Sequence, residues 1–156
     1  MDLDLFKSLM IERPEDEVIN CNNETCSKCA GACCKNMGCH ISPNDLKEVT
    51  KDSIMKLLSS DVVSIDRWED DDPIYYLRIR NSNSKIIDYS WGGRCSILAD
   101  NGCLLEYKYR PRGARELVPH TSHLCNGRYN KWDCVQEWKQ FQKILKKVLK
   151  EITTNE

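Results

Sequence analysis

Four cysteines fall within nine residues in the run Cys26-x2-Cys29-x3-Cys33-Cys34, inside a stretch from Cys21 to Cys39 built mostly of Cys, Asn, Lys, Gly and Ala. With almost no large apolar side chains, this stretch cannot order itself by the hydrophobic effect, and a bound ligand or the rest of the chain must hold it. Two cysteines separated by two residues can turn the backbone around one ion and bring both sulfurs to ~2.3 Å from it. The adjacent Cys33 and Cys34 project in different directions, which points to two ions or a bridging sulfur rather than one tetrahedral site.

The chain holds ten cysteines in 156 residues, a length suited to one domain. No apolar run is long enough to cross a membrane as a helix. The opening Met1-Asp2-Leu3-Asp4-Leu5-Phe6 is acidic where a secretory signal would be basic. The expected compartment is therefore the cytoplasm, where thiols stay reduced and a cysteine-rich chain reads as metal-binding or redox-active rather than disulfide-stapled. With 23 Lys and Arg against 24 Asp and Glu, nothing favours general nucleic-acid binding or an acidic membrane. Hydrophobic residues, cysteines included, make up 40%, so the expected core is thiols plus scattered Leu, Ile and Val, with metal substituting for part of it.

Local signals outline the rest. Residues 1–20 read as an N-terminal helical arm around Leu3, Leu5, Phe6, Leu9 and Met10, and 21–156 as the cysteine-cluster domain. Ser42-Pro43-Asn44-Asp45 predicts a helix start with a capping box, continuing along Leu46, Val49, Ile54, Leu57 and Leu58. Tyr75 to Arg80 and Lys85 to Tyr89, separated by Asn81-Ser82-Asn83-Ser84, predict a hairpin whose first strand packs Leu77 and Ile79 and leaves Arg78 and Arg80 wet. Val135, Trp138, Phe141, Leu145, Val148 and Ile152 predict one long amphipathic C-terminal helix, with Lys139, Lys143, Lys146, Lys147 and Lys150 on a solvated face.

Cys95-x7-Cys103 flanks the turn signal Asp100-Asn101-Gly102, which would draw the two thiols together. Cys125 and Cys134 follow. With Cys26, Cys29, Cys33 and Cys34 they supply eight thiolates, enough for two four-coordinate sites, and Cys39 makes a ninth that suits a bridged cluster. Cys21 stands outside any tight spacing. Zinc is favoured, because the C-x2-C-x2-C run most typical of a four-iron cluster is absent; iron or an iron-sulfur cluster is the alternative.

The Cys26-x2-Cys29-x3-Cys33-Cys34 motif, Ile41-Ser42, Asp45-Leu46, Cys95-Ser96-Ile97-Leu98, Gly102-Cys103, Tyr107 and Arg110-Pro111 together resemble the YkgJ-like cysteine-cluster family, from Cys26 to Gly127. The resemblance implies chelation of zinc or iron by these cysteines; some members of that family carry an iron-sulfur oxidoreductase label. Two positions depart from the family pattern. Three residues rather than two precede the Cys-Cys pair, and Ala114 stands where the family has a cysteine after Arg-Pro. Cys134 is then the candidate replacement, at the head of a helix whose dipole and unpaired N–H groups favour a thiolate.

Arg110, Arg112 and Arg115 are candidates to neutralise thiolate charge from outside the ligand shell, or to bind an anion. His120 and His123 read as surface histidines, and Glu69-Asp70-Asp71-Asp72 as a solvated turn lacking calcium-site spacing. No Ser-His-Asp pattern, phosphate loop or dinucleotide fingerprint is present. The expectation is a small, irregular, metal-centred α+β domain with a β-hairpin and a long C-terminal amphipathic helix. Its task would be to bind metal ions, chiefly to organise the fold and a surface for a protein partner. A metal-dependent or iron-sulfur oxidoreductase is the alternative.

Overall fold

A computed structural model describes residues 1–13, 38–90, 93–99, 102–115, 117–118, 126–127 and 129–154. The predicted ligands Cys26, Cys29, Cys33, Cys34 and Cys125, together with Cys21, His120 and His123, lie outside the described residues.

The fold is mixed helix and sheet. Its centre is a three-stranded antiparallel sheet in the order β1-β3-β2, where β1 is His40–Ile41, β2 is Val63–Trp68 and β3 is Ile74–Ile79. Strands β2 and β3 form a hairpin in the register Val63↔Ile79 to Trp68↔Ile74, closed by the exposed acidic turn at Glu69, Asp70, Asp71 and Asp72. Val63, Ile65 and the aromatics Tyr75 and Tyr76 suit a pleated, half-covered surface. The expected pairing of Tyr75–Arg80 with Lys85–Tyr89 does not form. Strand β3 already has β2 on one edge and β1 on the other, so Ile87 instead makes a parallel bridge to Ile65.

Helix α1, Leu3–Leu9, starts at Asp2, whose carboxylate accepts the Leu5 N–H at 3.0 Å. It is no loose arm, since Phe6 and Met10 are 0% and 1% exposed in the core. The Ser42 capping box forms as expected: Ser42 Oγ accepts the Asn44 N–H at 3.1 Å and Asp45 Oδ2 accepts the Ser42 N–H at 2.9 Å. It opens only a single 3-10 turn, Pro43–Asp45. Leu46 then turns extended to bridge Met10, and Thr50 with Ser53 builds a second capping box that starts helix α2, Lys51–Ser59. One predicted helix is therefore two elements, divided because Leu46 is drawn to a partner remote in sequence.

Further on come the small ladder β4–β5, Leu98–Ala99 with Gly102–Cys103, the short helix α3 at Arg112–Arg115, and the ladder β6–β7, Leu117–Val118 with Asn126–Gly127. The C-terminal helix is amphipathic as expected but divided: α4 is Lys131–Trp138, a 3-10 turn covers Lys139–Phe141, and α5 is Gln142–Thr154. At the junction Gln142 Nε2 donates to the Trp138 carbonyl at 2.8 Å and to the Tyr75 carbonyl at 2.8 Å, while Gln142 Oε1 accepts the Tyr75 N–H at 2.8 Å. A side chain inserted at this point interrupts the helical ladder and ties it to β3. Lys139, Lys143, Lys146, Lys147 and Lys150 are exposed.

The core is aliphatic rather than thiol-rich. Ile54, Leu57, Leu58, Val62, Val63, Ile65, Leu77, Ile79, Val135, Trp138, Leu145 and Val148 are buried together, and Cys95 and Cys134 are the fully buried thiols among the described residues. The expectation of a poor core is corrected: apolar residues thinly spread along the chain converge once sheet and helices pack. Among the described residues, no helix is long and apolar enough to cross a membrane.

Candidate metal centre

The end of β3 holds two cysteine-bearing segments side by side. On one edge the Ile79 N–H donates to the Cys39 carbonyl at 2.8 Å, and the Gly38 N–H donates to Asn81 Oδ1 at 2.7 Å. On the other, Asn81 bridges Cys95 in antiparallel fashion, with Ser82 N–H to Arg94 O at 2.7 Å and Ser96 N–H to Arg80 O at 2.9 Å. Gly38 has to lack a side chain, because a Cβ there would lie 2.0 Å from the Ile79 carbonyl oxygen.

Cys95 is 3% exposed, and burial pushes its thiol up to about 11, with Cys103 adding to the rise. Against this, the nearby backbone N–H groups of Ile97 and Cys39 pull it down. Cys103, half-buried on β5, accepts the Leu105 N–H at 3.4 Å. At Cys103 the donor is the amide two residues on, so the chain turns around that sulfur. The β4–β5 ladder and the Leu104 N–H to Ile97 O bond at 2.8 Å join the two segments. Leu98 and Cys103 are therefore paired across this ladder, and Cys103 lies close enough to Cys95 to raise its thiol; the expected turn residues Asp100 and Asn101 lie outside the described residues.

A soft, sulfur-only donor set with an N–H group directed at the Cys103 sulfur fits zinc, iron or an iron-sulfur cluster. Cys39, Cys95 and Cys103 are the described thiols at this end of β3 that could contribute donors to such a site. Among the described residues, no three His, Cys, Asp or Glu side chains converge closely enough to hold an ion by themselves.

Cys134 lies elsewhere. It is 0% exposed in the fourth position of α4; its own N–H is bonded to the Asn130 carbonyl at 3.1 Å, and its sulfur donates to the Ile41 carbonyl at 3.4 Å. Burial pushes this thiol well above its ordinary range, and the groups around it are Tyr129, Glu137, Asp45 and Trp138. Burial therefore works against the thiolate expected at this helix start, at a position already past the unpaired N–H groups.

The arginines divide. Arg110 Nε donates to the Leu105 carbonyl at 2.9 Å, bracing from behind the peptide turn that caps Cys103. Arg112 ties elements together: its N–H reaches Asp45 Oδ2 at 2.9 Å, its guanidinium meets both Glu137 oxygens at 3.3 Å, and it lies over the Tyr129 ring. The Arg115 side chain lies outside the described set.

Sequence reading missed a buried polar cluster on the opposite face of β3. Arg78, 0% exposed, donates Nε to Asp66 Oδ2 at 3.1 Å and Nη2 to Asp88 Oδ2 at 2.8 Å, while the Tyr76 hydroxyl donates to Asp66 Oδ2 at 2.6 Å. Arg80 is also buried: it reaches Asp61 Oδ1 at 3.2 Å and the Leu58 carbonyl, at the end of α2, at 3.3 Å. The expectation of a wet arginine face is overturned because these cations find carboxylates and helix carbonyls to satisfy them. The signal that was available is Asp66 within the alternating run Val63–Trp68, across the hairpin from Tyr76. His40, paired with Arg78 across β1 and β3 and with its ring tilted 49° against that of Tyr76, is held down to about 4 by burial and by the cations Lys131 and Arg78.

No protein-family model, curated protein or solved structure matches this chain.

Proposed function

We propose that the chain is a cytoplasmic metal-binding protein whose cysteines hold zinc, or alternatively iron, and whose bound metal organises the cysteine segments and the surface they present. The observation that carries this reading is that the β4–β5 ladder and the Asn81 bridge bring the Cys95 and Cys103 segments together at the end of β3, with the Leu105 N–H donated to the Cys103 sulfur at 3.4 Å. A neutral thiol needs no such donor, whereas a metal-bound thiolate gains from it. The cysteine motifs that resemble the YkgJ-like family support the same reading.

The test is elemental analysis and the visible spectrum of protein purified without oxygen. The expected result is stoichiometric zinc in colourless protein. A brown protein with iron and sulfide would replace zinc by an iron-sulfur cluster and favour the oxidoreductase alternative. A folded, metal-free chain that takes up neither metal would overturn the proposal.

A further inference from the structure

We infer that the C-terminal helices bind single-stranded nucleic acid along one exposed stripe, with lysines on the phosphates and Trp132 stacked on a base; this stands apart from the metal-binding reading above. From Trp138 to Lys150 the sequence carries five lysines and no acidic residue. The balanced total charge therefore hides a local segregation of cations, which attracts at short range. Lys143, Lys146, Lys147 and Lys150 fall at i, i+3, i+4 and i+7, on the face of α5 opposite the buried Leu145 and Val148. Lys139, in the 3-10 turn, extends the stripe toward α4, where its Nζ lies 5.7 Å from the centre of the Trp132 ring. At the other end Lys51 of α2 lines one open depression with Lys147, Lys150, Glu151 and Thr154.

Two carboxylates touch this set: Glu151 is paired with Lys51, and Asp72, 90% exposed, lies 3.7 Å from Lys146. Among the described residues, Lys139, Lys143, Lys147 and Lys150 have no ion-pair partner. A row of uncompensated cations along one helix matches a linear polyanion. Trp132 is 49% exposed and braced against Trp68 at 5.2 Å, with the rings 62° apart, so it offers a stacking surface at the end of the row. Stacking needs an unpaired base, which selects a single strand over a duplex. An anionic membrane fits less well, because the apolar face of α5 is spent in the core and has nothing to insert.

The experiment is fluorescence anisotropy of a short fluorescein-labelled oligothymidylate titrated with the full-length chain. Wild type is compared with Lys143→Ala/Lys147→Ala, Trp132→Ala, Trp132→Phe and the control Lys56→Ala/Lys85→Ala. All these side chains are exposed, and the control removes the same charge from α2 and the loop after β3. Lys143→Ala/Lys147→Ala should bind about tenfold more weakly, with the slope of log affinity against log salt shallower by about 1.4, since two phosphate contacts are lost. Trp132→Ala should also bind about tenfold more weakly, and Trp132→Phe should recover most of that loss. The control should keep wild-type affinity. No binding by wild type, an equal loss in the control, unchanged affinity in Trp132→Ala, or tighter binding of the same strand annealed to oligoadenylate would overturn the inference. Retention on phosphatidylserine vesicles without binding of the oligonucleotide would overturn it too, and would assign the stripe to a membrane surface.

Discussion

Arg78 Nε meets Asp66 Oδ2 at 3.1 Å between adjacent strands, with the two side chains 0% and 3% exposed. An ion pair so placed has lost its hydration and depends on its partners. Replacing Asp66 by Ala should therefore cost about 3–5 kcal/mol, because it strands the Arg78 charge and the Tyr76 hydroxyl. Urea unfolding of wild type and variant checks this, and a loss under 1 kcal/mol would mean that Asp88 suffices as counter-charge.

His40 gives the fold a pH dependence of definite sign. Burial and the neighbouring cations hold it at about 4 against an ordinary 6.5. As pH falls below 6.5 the unfolded chain takes the proton first, so stability is full above that value and declines until about 4. The expected loss is about 3 kcal/mol. His40→Leu should flatten this part of the curve, and an unchanged slope in that variant would assign it to other groups.

Gly113→Ala should reverse the usual helix rule. In an open helix the change stabilises by about 1 kcal/mol. Here a Cβ would lie 2.6 Å from both the N and O atoms of His40, backbone atoms that cannot swing aside. A loss of about 1–3 kcal/mol is expected from thermal or denaturant melting. A gain would show that α3 stands farther from β1.

Cys134→Ala separates a core thiol from a ligand. With its sulfur bonded to the Ile41 carbonyl, the variant should keep wild-type metal content and lose about 1 kcal/mol of stability. Elemental analysis decides, and release of one metal equivalent would return Cys134 to the ligand set.

Chelation should loosen the cysteine-bearing segments without unfolding the domain, because most of the buried cluster, with Ile54, Leu57, Leu145 and Val148 in it, is aliphatic. Hydrogen exchange of metal-stripped protein should show lost protection at Ile97 and Leu105 and retained protection in α2 and α5. Global loss of protection would make the metal the keystone of the whole fold.

What could be read directly from sequence were features whose causes lie within a few residues. The Ser42–Asp45 capping box, the apolar face along Val135, Trp138, Leu145 and Val148, and the solvated acidic turn are all set by near neighbours. The break at Leu46 was not legible, because it answers to Met10, nor was the interruption after Trp138, because Gln142 answers to Tyr75. Likewise, the cysteine pattern named the candidate ligands but not their grouping. The Cys39 and Cys95 segments meet the end of β3 only because that strand has two edges and pairs with both, and the Cys134 thiol is buried because α4 packs it onto β1. Strand pairing and burial of charge are settled by partners remote along the chain. The free energy of desolvating a group such as Arg78 or Cys134 depends on what covers it, and only the tertiary structure supplies that cover.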